Sequence, residues 1–116
     1  MVNVYDYAHS LARALKESEE SKAYQAALAK IKGKTTIEAM IGDFHKKQIE
    51  LQAQMLQGKE LTDGQKGALE SLYAVIAQNP DAAAFLMAEQ RLGGLVNDIM
   101  KIVGESVQME SFGLNN

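Results

Sequence analysis

The 116-residue chain contains no cysteine, no tryptophan and a single proline. Without cysteine, disulfides, thiolate nucleophiles, and cysteine-ligated zinc or iron–sulfur clusters are excluded. Aromatic residues amount to 6% of the chain while hydrophobic residues reach 47%. The core must therefore come from Leu, Ile, Val, Met and Ala, a palette suited to close helix–helix contact. A dominant charge is also missing, because 12 basic residues are scattered among 15 acidic ones for a net charge of −3. Nucleic-acid binders present a basic stripe or patch. Here the densest basic stretches, Lys30, Lys32 and Lys34, then His45-Lys46-Lys47, are short enough to be ordinary solvated helix faces. No direct nucleic-acid partner is expected. No uncharged apolar run approaches the ~20 residues that span a bilayer, and Met1 to Ser10 lacks the apolar core of a signal peptide. A cytoplasmic location without membrane insertion is the expectation.

Strand signals are absent too. No Val/Ile/Thr alternation lies between turn residues, which predicts an all-α fold. The punctuation that is present divides the chain into five helices forming one domain over 1–116. Asn3 caps the first, with Asp6 in its first turn and an apolar stripe at Val4, Ala8, Leu11, Ala12 and Leu15. Ser18 restarts the chain, and a second stripe (Ala23, Tyr24, Ala27, Leu28, Ile31) stops at Gly33. These two short helices are expected to form a hairpin. Thr35 with Glu38 reads as a capping box opening a long helix that runs to Gln57 and ends at Gly58. Thr62 with Gln65 reads as a second capping box, starting a helix with Leu69, Leu72 and Ile76 inward. Asn79-Pro80 breaks that helix and starts the last one, because proline suits the first helical position after an Asn cap. The last helix is predicted to reach about Val103, leaving 104–116 as an added turn or frayed tail.

The third and fifth helices, ~33 and ~36 Å long at 1.5 Å per residue, match the ~35 Å diameter of a compact globule of this length. They are expected to lie side by side as two long antiparallel-type helices of a bundle. Their stripes are heptad-like: Ile37, Ile41, Phe44, Gln48, Leu51 and Met55 in one, Phe85, Ala88, Leu92, Leu95, Ile99 and Ile102 in the other. Each carries a second apolar line, Ile49, Ala53 and Leu56 or Val96, Met100 and Val103. Two lines imply neighbours on two sides; a five-helix monomer could supply them, and a homodimer supplies them more easily because the short helices offer only Ala-rich faces. The residues expected to form core or interface are Ile41, Phe44, Gln48, Leu51, Met55, Leu92, Leu95 and Ile99. Gln48 is either a boundary residue or a buried polar group that fixes register. Gly93-Gly94 lies mid-helix, where each Gly costs roughly 1 kcal/mol relative to Ala; close approach of a neighbour at Gly93 is the favoured explanation.

No catalytic constellation emerges. His9 and His45 sit on different helices, and His45 and Asp43, two residues apart, point away from each other. No Glu-x-x-His pair of the di-iron type occurs. Ser10, Ser18, Ser71 and Ser106 lack an activating base in sequence, and Gly58 and Gly64 match no phosphate-cradling signature. Asp98 and Lys101 are spaced to pair at i, i+3. Neither catalytic residue, metal ligand nor cofactor is expected, and the chain is not read as an enzyme.

The ordered set Val4-Tyr5-Asp6-Tyr7-Ala8, Ser18-Glu19-Glu20, Phe44-x-x-x-Gln48-x-x-Leu51-Gln52, Gln57 through Thr62, and Met87 through Leu92 to Asp98-Ile99 resembles the YheA group of the YlbF/YmcA superfamily. The likeness runs from Val4 to about Val107. It implies a small helical protein of Bacillus-like Firmicutes that pairs with itself. The YlbF and YmcA relatives act with a third protein as accessories to a membrane-tethered ribonuclease, influencing mRNA processing, competence and biofilm development, and are associated with cysteine-ligated iron–sulfur clusters. That cofactor does not carry over to a chain without cysteine. The leading expectation is a non-enzymatic interaction or regulatory protein, a homodimer open to a heterologous protein partner, by resemblance an accessory linked to RNA processing or development. The alternative is a binder of a small apolar ligand in a Met- and Leu-lined cavity.

Overall fold

In the computed structural model, residues 3–108 are described; the remainder of the expected tail lies outside them. Five helices follow in order: α1 (Val4–Lys16), α2 (Glu19–Ile31), α3 (Thr35–Leu56), α4 (Asp63–Ala77) and α5 (Pro80–Val107). Among the described residues there is no strand. Helix α5 runs one turn past the expected Val103, and Gln108 closes it in the left-handed conformation.

Local chemistry accounts for most boundaries. The Asn3 side chain accepts from the Tyr5 N–H, and the Ser18 side chain from that of Ser21. At α4 both halves of the capping box form: the Gln65 N–H donates to Thr62 Oγ1 at 3.1 Å, and the Thr62 N–H donates to Gln65 Oε1 at 2.9 Å. Asn79 Oδ1 accepts from the N–H groups of Asp81 and Ala82, with Pro80 opening the helix. The expected Thr35–Glu38 box does not form. Gly33 turns at φ 88°, so the helix already includes Thr35 and the cap position falls to Lys34, which offers no side-chain cap. The Lys34 ammonium instead lies 3.3 Å from Asp81 in the first turn of α5.

Packing departs from the expected bundle. Helices α3 and α4 form an antiparallel hairpin, with Phe44 beside Tyr73 near its base and Gln54 hydrogen-bonded to Gln65 near its tip. The most extensive helix pair is α2 with α5. It is antiparallel as well: Glu20 lies near Leu95 and Asp98, while Lys30 lies near Ala84. Each long helix is thus partnered by a short one, and the two long helices do not lie side by side. Where α3 and α5 meet, Lys34 pairs with Asp81 and His45 with Glu89. That order is the same along both helices, so they run in the same sense, not antiparallel.

The core sits at this junction: Ala27 and Ile31 of α2, Ile37, Ile41 and Phe44 of α3, Ile76 of α4, and Ala82, Phe85, Leu86 and Ala88 of α5. Alanines on both sides let α2 approach α5, while Tyr24 packs on Phe85 with ring centroids 5.3 Å apart. Beyond the hub the arms separate. Helix α1 buries no residue and meets α2 only near their shared turn, so the expected α1–α2 hairpin does not close, since the face α2 would offer is taken by α5. The chain measures 53 × 40 × 17 Å with a radius of gyration of 18.1 Å, against about 13 Å for a compact chain of this length. It is a slab about two helices thick.

Candidate interaction surface

Ile41, Phe44 and Leu51 are buried as expected. Leu51 lies apart from the hub. Gln48, Leu92, Leu95 and Ile99 are half-buried. Met55, expected in the same stripe, is 58% exposed.

Gln48 lines a hollow of about 350 Å³ between α3, α4 and α5, together with Phe44, Tyr73, Leu86, Met87, Glu89 and Gln90. At its margin His45 Nε2 donates to Glu89 Oε1 at 2.6 Å, both side chains being about one-third exposed. The hollow is therefore a mixed cleft in which Leu86 and Met87 sit beside amide and carboxylate groups. Among the described residues no three His, Asp or Glu side chains converge on one point, and no helix is long and apolar enough to cross a membrane.

The His45–Glu89 and Lys34–Asp81 pairs were not legible in the sequence, their partners lying 44 and 47 residues apart. The i, i+3 ion pair that forms among the described residues is Lys47–Glu50 at 3.5 Å; Asp98 and Lys101 do not pair.

What the geometry leaves open is apolar helix face. The second line of α3 is exposed, with Ile49 at its start and Leu56, 89% exposed, at its end. The second line of α5, Val96, Met100 and Val103, is exposed as well and continues to Val107. Tyr5, Tyr7 and Val4 project from α1. A Cβ added at Gly93 or Gly94 would meet nothing within 4 Å, so the close approach expected at Gly93 is not made by the described residues.

Comparison with known proteins covers the same span. The model of the family described as control of competence regulator ComK, YlbF/YmcA, matches residues 4–108. A UPF0342 protein of Symbiobacterium thermophilum is 62% identical over 92% of this chain and 96% of its own length. One from Caldicellulosiruptor saccharolyticus is 45% identical over 98% and 97%, and one from Staphylococcus aureus 31% over 88% and 90%. Among solved structures, a protein of unknown function (DUF964) from Bacillus stearothermophilus matches with a TM-score of 0.72 at 17% identity, covering 90% of this chain and 91% of that one. At that identity the likeness speaks for the helical fold alone.

Proposed function

Since the chain belongs to the YlbF/YmcA family, we propose that it is a non-enzymatic regulatory protein that acts by docking helical faces on protein, first on a second copy of itself. The observation that carries this reading is the amount of surface left open. A folded monomer of 12.7 kDa has an accessible area of about 6,200 Å²; this chain exposes 9285 Å². Relative to roughly 18,400 Å² for the unfolded chain, only about half is buried, where two-thirds is expected of a monomer. The difference from a compact monomer is about 3,000 Å². Even two-thirds of that, about 2,000 Å² on each protomer, falls within the range of obligate homodimers.

The regulatory part of the reading comes from the family description, which concerns control of a competence regulator. In this reading the dimer is a cytoplasmic accessory to RNA processing or development, and a heterologous protein docks on helical surface that the dimer leaves free. Net charge of −3 opposes direct binding to phosphate backbones. Light scattering should give about twice 12.7 kDa at micromolar concentration, and the purified protein should neither cleave RNA nor bind it tightly at physiological salt. A concentration-independent mass of 12.7 kDa would remove the dimer. Salt-sensitive nanomolar RNA affinity would replace protein docking with RNA binding.

A further inference from the structure

Two of the open apolar faces match each other. The α1 stripe, Val4, Ala8, Leu11 and Leu15, spans 11 residues at alternating spacings of four and three. The line on the distal half of α5, Gly93, Val96, Met100, Val103 and Val107, alternates three and four over 14 residues. At 1.5 Å per residue these are stripes of ~17 and ~21 Å with the heptad spacing that packs at a shallow angle. Their charges are of opposite balance. Helix α1 carries Arg13 and Lys16 against Asp6, whereas the distal half of α5 carries Asp98 and Glu105 against Lys101.

Among the described residues, nothing buries either face. Helix α2 lies along α5 only as far as the region of Asp98, where Glu20 lines the same shallow hollow, so the last turns of α5 stand clear. The turn between α1 and α2 is fixed at Ser18, whose hydroxyl donates to the Leu15 carbonyl at 2.6 Å and accepts from the Ser21 N–H at 3.1 Å. Gly93 and Gly94 add an independent mark. Two adjacent glycines lower the stability of a helix interior, and none of the described residues occupies the space beside them. A helix from outside gains close backbone approach there.

We propose that in the homodimer the two chains exchange arms, each α1 lying along the Gly93–Val107 line of its partner's α5. The proposal rests on the dimer reading above and names its contact. Isologous symmetry then gives two identical contacts, each covering a face that the monomer leaves bare.

Complementation tests it. Leu11→Asp places a carboxylate in the α1 stripe and Val103→Asp places one in the α5 stripe; each homodimer would carry a lesion in both contacts and dissociate, with affinity lowered roughly a hundred-fold or more. Mixed, the two variants form a heterodimer in which both lesions fall in one contact and the other is intact, so a species of twice 12.7 kDa should reappear. Symmetric pairing of α1 with α1, or of α5 with α5, leaves no intact contact, and failure of the mixture to reassociate would overturn the exchange. Circular dichroism should show each variant alone with the hub helices retained and some helix lost from the uncovered arms, because neither Leu11 nor Val103 belongs to the buried core.

Cross-linking gives a second readout that does not depend on dissociation. The chain has no cysteine, so Leu11→Cys chains mixed with Val96→Cys, Met100→Cys or Val103→Cys chains should oxidise to disulfide-linked heterodimers. Leu11→Cys chains that link preferentially to one another would contradict the proposal. If the wild type is a dimer but both aspartate variants remain dimeric, the interface lies elsewhere and only the exchange fails. If the wild type is a monomer, the dimer reading itself fails.

Discussion

At the scale of single residues, the two threonines expected to cap helices separate cleanly. Thr62 accepts the Gln65 N–H at 3.1 Å, so Thr62→Ala should cost about 1 kcal/mol, as loss of a helix cap does. Thr35 sits inside α3 with Lys34 at the cap position, and Thr35→Ala should change stability by less than about 0.5 kcal/mol. Urea unfolding of both variants measures the contrast; equal losses would mean that Thr35 caps after all. The sequence shows the same Thr-x-x-Gln/Glu pattern at both sites. Only the turn made by Gly33 distinguishes them, because it decides which residue is the last one outside the helix. Ile76 is 1% exposed at the point where α4 enters the hub. Ile76→Ala should therefore cost about 2–5 kcal/mol, measured in the same way. A loss below 1 kcal/mol would show that the hub is not the load-carrying core.

At the scale of helices, existence and order were readable from the sequence, because stop and start signals are local: Asn3, Ser18, Gly33, Gly58, the Thr62–Gln65 box and Asn79-Pro80 each act within a turn of themselves. Partner choice was not readable. A heptad stripe reports that a helix packs at a shallow angle, not against which helix. The stripes of α3 and α5 led to an expectation that the two pack on each other, whereas α4 and α2 take those places. The second apolar lines were legible as surplus, and the structure leaves them exposed. Gly93 tests what covers them. In a Leu11→Asp background, where association is removed, Gly93→Ala should raise stability by about 1 kcal/mol through helix propensity alone, since the added Cβ meets nothing. In the otherwise native chain it should weaken association if a partner helix approaches there. Thermal unfolding of the first and light scattering of the second give the two signs; stabilisation in both backgrounds would mean that the glycines face solvent in the assembly.

At the scale of the whole molecule, the monomer is poorly proportioned to stand alone. Its buried apolar residues gather in one hub plus Leu51, while the arms carry ordered helix with little to bury. Ordering each residue costs roughly 1–2 kcal/mol of backbone entropy, and helices without tertiary packing are marginal at the length of α1. The arms are held in helical form only if something covers them. Assembly was inferable from the sequence through surplus apolar stripes, but the slab shape was not, because the compact-globule radius assumes a chain that buries its own surface. If a second copy supplies that cover, unfolding of the native dimer is coupled to its dissociation and stability depends on protomer concentration. For a dimer with an unfolding enthalpy scaling at ~0.7 kcal/mol per residue, each tenfold rise in concentration should raise Tm by about 3 °C. Scanning calorimetry from ten micromolar to one millimolar measures the slope. The Leu11→Asp variant, monomeric in that reading, should show a lower Tm with no such slope, whereas a concentration-independent Tm in the native chain would mean that the exposed helix is stable without a partner.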